Sequence, residues 1–403
     1  MSEAISPAVS SRKRAALALS PGLIAFSMGQ TVLFAVAGPV IRDIGLTEFQ
    51  LGMIVSASAV MFMVVSPVWG RLSDRLGRKR VIVTGLLTYS LISFAFASVM
   101  DLGLSGAMAA GSVFLTLLGL RLLYAALGAG IQPASVALMA DMSDEADRSS
   151  AVAIVGASFG FGMILGPAAA AALVGWGVLT PLYAIAGLGF ICMLIAVIYL
   201  PDQKAAKGET SDTTPVQYGK LAPVMAIALL LFIGVSALQQ TIAFYVQDYL
   251  GAEADVAARM TGFCFVAMAT ASLLVQGGLI QALRPGPNLL LKVGLPVMAA
   301  GVIIYAFPSG FWQIVIGCGI IGMGFGFANP GVMAAASLRT GNQSQGATAG
   351  IIQAMMSAGY IFGPLAGTGG YEVSPLIAAG IVICCLVLAT LIALSLKDTA
   401  DAG

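Results

Sequence analysis

The sequence contains no histidine, and charged residues occupy only 9% of its 403 positions. The absence of histidine excludes histidine-based acid–base catalysis and histidine metal sites. The five cysteines lie in apolar runs without metal-ligand spacing, so we interpret them as packing residues and predict no metal site. A net charge of +1 gives no indication of a nucleic-acid partner. No nucleophile–base pair is visible, so the sequence predicts neither an enzyme nor a bound cofactor.

Long apolar runs fill most of the chain. Hydrophobic residues make up 59% of it, more than a soluble protein of this size could bury, so we expect lipid to surround it. A membrane-spanning helix needs about 20 apolar residues. The sequence therefore predicts an all-α membrane protein with twelve transmembrane helices. The predicted spans are 17–41, 50–70, 81–100, 112–139, 150–174, 178–200, 221–247, 258–280, 289–307, 311–334, 346–369 and 374–396.

Basic residues are distributed unequally between the two sets of connecting loops. Arg12, Lys13 and Arg14 precede the first span, which is too long for a signal peptide. Most other basic residues fall in loops on the same side, and only Arg42 and Arg259 fall in loops on the opposite side. This bias predicts a multi-pass protein of the cell inner membrane with both termini in the cytoplasm.

One polar stretch, residues 201–220, divides the predicted spans into six and six. It mixes charged residues with serine, threonine and proline, as flexible linkers do. The sequence thus predicts an amino-terminal six-helix bundle over 1–200, a cytoplasmic linker over 201–220 and a carboxy-terminal six-helix bundle over 221–403.

The two halves also repeat. Gly166 and Pro167 recur as Gly363 and Pro364, at an offset of 197 residues. A glutamine–proline pair at 132–133 matches an asparagine–proline pair at 329–330 with the same offset. Such repeats predict two pseudo-symmetric bundles.

A charged run, residues 70–80, connects the second and third spans and reads G-R-L-S-D-R-L-G-R-K-R. Its two glycines are predicted to permit a tight reversal. The basic residues alone are consistent with a loop that only fixes topology. The run resembles the signature loop of the major facilitator superfamily. The resemblance implies a gating role at the cytoplasmic side for Gly70, Asp74, Arg75, Gly77, Arg78 and Asp141.

Arg121 is the only charged residue deep inside a predicted span. An intramembrane arginine is costly and by default marks a functional site, although it could instead bond backbone carbonyls. It begins a predicted stripe of polar and small residues on one helix face. The stripe consists of Arg121, Tyr124, Gly128, Gln132 and Ser135. It resembles the superfamily's helix-four motif, whose arginine is linked to proton transfer in antiporters.

The fifth predicted span contains closely spaced glycines followed by a proline. The glycine spacing of four predicts close helix packing, and the proline permits a bend. Packing alone is the simpler interpretation. The full string resembles the antiporter motif of the drug-exporting branch, which includes tetracycline/proton exporters. The residues of this motif are Gly156, Gly160, Gly162, Gly166 and Pro167.

Polar and aromatic side chains on other spans are candidates for substrate contacts. Polar groups would be costly against lipid, although some of them could simply bond neighbouring helices. The resemblance implies a central cavity surrounded by helices one, four, seven and ten. The candidate cavity residues are Gln30, Phe34, Tyr124, Gln132, Gln240, Phe244, Tyr245, Asn329 and Gln353.

These features predict a transporter that works as a monomer by alternating access. By resemblance, it exports a small amphipathic molecule in exchange for protons. No carboxylate lies deep in a predicted span, where drug-exporting relatives usually carry one. The alternative is a carrier for an anionic or zwitterionic metabolite that uses Arg121 and need not be proton-coupled. A non-transporting membrane receptor is a further alternative, which the short tails do not favour.

Overall fold

The computed structural model describes residues 7–143, 148–202, 218–339 and 345–396, and within these ranges the chain is helical with no β-strand. The helices are α1 (Pro7–Asp43), α2 (Glu48–Leu76), α3 (Arg78–Leu104), α4 (Ala110–Gly128), α5 (Ile131–Asp141), α6 (Arg148–Leu173), α7 (Thr180–Tyr199), α8 (Tyr218–Leu250), α9 (Ala254–Leu274), α10 (Ile280–Leu283), α11 (Pro287–Ala306), α12 (Phe311–Arg339), α13 (Gln345–Val373) and α14 (Pro375–Ser395). Short 3₁₀ and π turns follow α6 and α9 respectively.

The described helices form twelve segments that are long and apolar enough to cross a membrane, which confirms the predicted count. Many large apolar side chains on these segments are exposed, as expected for helices whose outer faces contact hydrocarbon chains. Examples are Leu115, Ile198, Leu274, Phe362 and Leu394. The chain is therefore a multi-pass membrane protein.

The fourth span is broken into α4 and α5 at Ala129–Gly130. Pro133 lacks the N–H that would bond the Ala129 carbonyl, and its ring crowds that carbonyl, so the helix is interrupted one turn before the proline. The polar stripe predicted from Arg121 to Ser135 consequently does not run along one helix. Ser135 is buried and donates a 2.6 Å hydrogen bond to the Ile131 carbonyl.

The reversal between α2 and α3 takes place at Gly77 alone. Gly77 has φ 95°, a left-handed conformation that glycine adopts without strain. The expectation that Gly70 also contributes to the reversal is wrong, because α2 continues through Gly70 to Leu76. The apolar segment ends earlier than the helix, which is why hydropathy alone places the turn too soon.

The chain forms two compact units. Unit 1 comprises Met1–Val36 and Met61–Glu209, and unit 2 comprises Ala37–Val60 and Thr210–Gly403. The end of α1 and the beginning of α2 thus belong to unit 2. Residues 203–217 of the predicted linker lie outside the described residues. Its last three positions, 218–220, belong to α8, which begins at Tyr218. The division into two six-helix bundles stays a prediction.

In unit 1, α6 packs against α1 at backbone distance. A Cβ atom built on Gly166 would lie 2.8 Å from the Met28 carbonyl oxygen, and one on Gly162 would lie 3.1 Å from the Met28 nitrogen. Ser27 on α1 donates a 2.7 Å hydrogen bond to the Phe159 carbonyl on α6. Only glycine leaves room for this approach.

In unit 2, α13 packs against α8 in the same manner. A Cβ atom on Gly359 would lie 2.9 Å from the Ile233 nitrogen, and one on Gly363 would lie 2.6 Å from the Ile233 carbonyl oxygen. Ser236 on α8 donates a 2.9 Å hydrogen bond to the Gly359 carbonyl. The sequence repeat at an offset of 197 residues is therefore also a repeat of helix packing.

Candidate functional site

Arg121 lies on α4 and is held by neutral partners. Its Nη2 donates a 2.6 Å hydrogen bond to Oε1 of Gln30 on α1. Nε2 of Gln30 in turn donates to the Tyr124 hydroxyl at 2.7 Å. The guanidinium carbon of Arg121 lies 4.7 Å from the centre of the Tyr124 ring, close enough for a cation–π interaction. The glutamine amide thus connects the cation to the phenol.

The charge of Arg121 has no carboxylate partner within the described ranges. Its Nε–H is buried and lacks a hydrogen-bond partner among the described residues. A cavity of about 30 Å³ adjoins the side chain. This volume is enough for about one or two water molecules. The cavity is lined by Gly29, Leu33, Ile92, Ser93, Phe96, Arg121, Tyr124 and Leu182.

Aromatic packing fixes the phenol that Arg121 contacts. The Phe26 ring of α1 stacks on Tyr124 at a centroid distance of 5.8 Å. Tyr89 on α3 lies 6.1 Å from Tyr124 and donates a 2.8 Å hydrogen bond to the Ala25 carbonyl. Because Tyr124 is three residues after Arg121, both side chains emerge from the same face of α4. The site is therefore built on packed helices of unit 1.

The sequence did not identify the partner of Arg121. It offered backbone carbonyls or an anionic or zwitterionic substrate, whereas the structure gives the Gln30 amide. The only indication in the sequence was that α1 and α4 each carry a polar residue, Gln30 and Arg121, in the middle of an apolar span. The pairing depends on how α1 and α4 are rotated about their axes, which a single sequence does not specify.

The cytoplasmic gating residues predicted from the sequence meet partly around Arg78. Its Nε donates to Oδ2 of Asp141 at 3.2 Å and its Nη1 to Oγ of Ser73 at 2.5 Å. It also forms an ion pair with Asp74, one turn before it on α2. Arg78 is buried at the start of α3, while Arg75 is exposed. The buried arginine therefore connects α2, α3 and the end of α5.

We expect Arg78→Gln to lower the free energy of unfolding by about 1.5–3 kcal/mol, the typical contribution of a hydrogen bond to a charged group. The substitution would leave the partly buried Asp141 without its cationic donor. Thermal denaturation in detergent measures the change. Arg80→Gln is the matched control because Arg80 is exposed two residues away, and it should stay within about 0.5 kcal/mol of wild type. Equal destabilisation by both variants would contradict a specific role for Arg78.

The glycines of the predicted packing motif on α6 differ in surroundings. Gly162 and Gly166 meet α1, whereas a Cβ atom on Gly156 or Gly160 would have no described neighbour within 4 Å. Pro167 lies inside α6, which continues to Leu173. The packing role predicted from the sequence thus has a structural basis for Gly162 and Gly166 but not for the other two glycines.

The predicted cavity residues of unit 2 lie in unlike environments. Gln240 is only 2% exposed, and its Nε2 has no hydrogen-bond partner among the described residues. The Tyr245 ring lies 4.5 Å from the Tyr305 ring at an interplanar angle of 40°. The Tyr245 hydroxyl donates a 3.1 Å hydrogen bond to the Ala306 carbonyl, so it is occupied by a helix–helix contact. Phe244 is fully buried.

The remaining cavity candidates are more accessible. Asn329 and Phe34 are half-buried, while Gln132 and Gln353 are exposed. Of the predicted cavity residues, Gln30 and Tyr124 are joined to each other and to Arg121 by hydrogen bonds and a cation–π contact. The cavity role of every one of these residues stays a prediction.

A family model described as the Major Facilitator Superfamily matches residues 19–364. The chain belongs to the Major Facilitator Superfamily. It is thus a membrane transporter, and its relatives bind small-molecule substrates rather than catalyse reactions. The predictions of the fold class and of the superfamily are confirmed.

Curated relatives of the chain include drug-resistance proteins. Multidrug resistance protein 2 of Bacillus subtilis (strain 168) is 28% identical over 381 residues, covering 91% of each chain. Quinolone resistance protein NorA of Staphylococcus aureus (strain MSSA476) is 24% identical over 351 residues, covering 83% of this chain and 84% of that one. These names support the resemblance to the drug/proton antiporter branch.

Solved structures of the superfamily share the fold at low sequence identity. A bacterial homologue of the human lysosomal transporter Spinster, in an inward-facing and occupied conformation, gives a TM-score of 0.75 with 14% identity and 95% coverage of both chains. A mutant of the nucleoside transporter NupG gives a TM-score of 0.72 with 13% identity and covers 94% of this chain and 98% of that one.

Proposed function

We propose that this transporter exports a small amphipathic molecule across the cell inner membrane in exchange for protons. It works by alternating access as a monomer, with both termini in the cytoplasm. The distribution of basic residues supports this orientation. The names of the drug-resistance relatives support export of foreign amphipathic compounds.

The observation that carries the proposal is the arrangement of Arg121 with neutral partners. A guanidinium inside a span is costly, and it stays charged at every working pH. Gln30 and Tyr124 orient it without neutralising it. A fixed positive charge in this position promotes loss of the proton from any carboxyl group that approaches it, and proton-coupled antiport requires such a release.

The proton carrier itself differs from the pattern of drug-exporting relatives. The described carboxylates lie near helix ends, for example Asp101 on α3, Asp141 on α5 and Asp248 on α8. We therefore expect the group that binds the transported proton to be a carboxylate at a helix end rather than one at mid-span. Changes in the exposure of such a group between two conformations would suffice to couple it to transport.

A flux assay tests the proposal. Purified protein in proteoliposomes is given cationic, neutral and anionic amphipathic dyes, with and without an imposed pH gradient. We expect the gradient to drive accumulation of the cationic and neutral dyes, and we expect a protonophore to abolish it. Empty liposomes and the Arg121→Ala variant are the controls. Dye flux that a protonophore leaves unchanged would contradict antiport.

A second candidate function is favoured by the Nε–H of Arg121, which has no hydrogen-bond partner in the part of the chain that the structure describes. A buried donor without an acceptor is rare, and a carboxylate or phosphate of a bound molecule would complete it. The protein would then carry an anionic or zwitterionic metabolite. In the same flux assay, this function predicts transport of anionic compounds and no requirement for a pH gradient.

A further inference from the structure

Arg42, the penultimate residue of α1, binds two carboxylates at once, and all three residues belong to unit 2. Its Nη1 and Nη2 lie 2.5 and 3.1 Å from Oδ1 and Oδ2 of Asp248 on α8, a two-bond pairing. Its Nε donates to Oε1 of Glu48 on α2 at 2.7 Å. The guanidinium carbon lies 4.9 Å from the Phe244 ring centre. Three N–H groups and one ring thus hold this side chain in a single orientation.

Helix α13 joins the same group. The Tyr371 hydroxyl donates a 2.6 Å hydrogen bond to Oδ2 of Asp248, and the Tyr371 ring centre lies 5.8 Å from the Arg42 guanidinium carbon. The adjacent Glu372 accepts a 2.9 Å hydrogen bond from the backbone nitrogen of Phe49 at the start of α2. We name Arg42, Glu48, Asp248 and Tyr371 the Arg42 cluster, which connects the ends of α1, α2, α8 and α13.

Close helix contacts lie directly beside the Arg42 cluster. A Cβ atom on Gly38 of α1 would lie 2.9 Å from the Ala243 Cβ of α8. A Cβ atom on Gly52 of α2 would lie 3.0 Å from the Pro364 carbonyl oxygen of α13. Helix α1 therefore packs closely against α8, and α2 packs closely against α13. We call these two helix contacts the α1–α8 seam and the α2–α13 seam, and the Arg42 cluster lies at the end of both.

The residue ranges that make up unit 2 connect these contacts to transport. Residues 37–60 group with residues 210–403, whereas the rest of α1 and α2 groups with the other half of the sequence. If the two sequence halves move against each other during transport, residues 37–60 must separate from α8 and α13 whenever this side opens.

We propose that the Arg42 cluster is a latch that holds the outer side of the transport pathway closed and opens once in every cycle. The proposal rests on the alternating access and membrane orientation of the proposed function. Its chemistry suits repeated opening. The Arg42 and Asp248 side chains are 23% and 45% exposed, so water can replace their contacts at a small net cost. A permanent joint between helices would be expected to be apolar and dry.

The latch is tested with a thiol reporter inside the α1–α8 seam. Ala243→Cys is introduced into a chain whose five native cysteines are replaced. The probe is a membrane-impermeant maleimide applied to the outer side of right-side-out vesicles. We expect Arg42→Gln to accelerate labelling about five-fold, the effect of losing a partly exposed ion pair, and to slow labelling from the inner side in inverted vesicles.

Three further variants make the test specific. Arg259→Gln removes the same charge at the same end of the molecule from an exposed residue of α9, and it should label at the wild-type rate. Tyr371→Phe keeps the ring but removes one hydrogen bond to Asp248, so it should accelerate labelling to a smaller extent. Arg42→Gln combined with Asp248→Asn should accelerate labelling by less than the product of the two single effects, because both changes break the same ion pair.

Unchanged labelling in an Arg42→Gln protein that still transports would overturn the latch, and so would additive effects in the double variant. Faster outer labelling without any proton-driven export by the wild-type protein would leave the latch standing and reject the proposed function instead. The two proposals therefore fail by different results.

Discussion

Arg121→Ala is expected to lower proton-driven flux about ten-fold or more at unchanged membrane abundance. The variant removes a hydrogen bond from a charged donor to Gln30, worth about 1.5–3 kcal/mol, and a cation–π contact with Tyr124, worth about 0.5–2 kcal/mol. A ten-fold change in flux corresponds to about 1.4 kcal/mol, so the prediction requires only that part of this energy differs between the conformations of the transport cycle. Flux into proteoliposomes and substrate binding by calorimetry measure the two consequences separately.

Two matched variants show why Arg121 matters. Arg121→Lys keeps the charge but loses the planar fork that reaches Gln30, so intermediate flux is expected. Gln30→Glu keeps the shape of the side chain but places a carboxylate against the guanidinium. If the uncompensated charge is essential, Gln30→Glu should reduce flux as strongly as Arg121→Ala although the arginine is still present.

The outcomes separate the candidate roles. A coupling role predicts that Arg121→Ala binds substrate but no longer responds to a pH gradient. A substrate-binding role predicts a larger loss for anionic than for neutral compounds. A role in packing alone predicts reduced stability with neither pattern. Wild-type binding together with wild-type coupled flux in Arg121→Ala would show that this residue has no function in transport.

Gly166→Leu is expected to abolish most transport activity, and we expect the same of Gly162→Leu. The first atom of any side chain at Gly166 would lie 2.8 Å from the Met28 carbonyl oxygen and 3.1 Å from the Met28 Cα. Because these obstacles are backbone atoms, α1 and α6 must separate. Overpacking of this kind costs about 1–3 kcal/mol or more. Separated helices would also displace Gln30, which lies on α1 close to this contact.

Two neighbouring substitutions serve as controls for the glycine. Leu165 is 45% exposed, so Leu165→Ala should retain activity at equal membrane abundance. Gly160→Ala should also be tolerated, since a Cβ atom there meets no described neighbour. Flux and size-exclusion profiles are compared for the set. Equal activity of Gly166→Leu and Leu165→Ala would show that α6 does not depend on this approach to α1.

The sequence predicted the helices well because lipid imposes a simple requirement on them. An apolar run of about 20 residues has few alternatives in a bilayer, and the twelve predicted spans correspond to the observed ones. Helix ends were less predictable. The first span was expected from residue 17, but α1 begins at Pro7, because charged residues such as Arg12 continue a helix beyond the apolar region. The helix break before Pro133 could have been predicted from the proline itself, which a count of apolar residues does not take into account.

The candidate site was predictable only as separate residues. Arg121 and Gln30 were each notable as polar groups inside apolar runs, yet their hydrogen bond joins positions 91 residues apart. The Arg42 cluster is more difficult still, since it joins α1 to Asp248, 206 residues away, and to Tyr371. Such contacts depend on how each helix is rotated and tilted against its neighbours. Rotation and tilt are set by the packing of whole helices and cannot be read from one short stretch of sequence.

The break at Ala129–Gly130 divides the fourth span into two helical segments that can tilt relative to each other. Arg121 lies on the segment before the joint, and Asp141, the partner of Arg78, lies at the end of the segment after it. A helix that lacks backbone hydrogen bonds over part of a turn bends more easily there than elsewhere. If α5 tilts when the contacts between Arg78 and Asp141 rearrange, α4 need not move with it. The position of the Arg121 side chain is then independent of changes at the start of α3. We expect amide hydrogen exchange to be rapid at residues 130–132 and slow in the helical segments on either side of them.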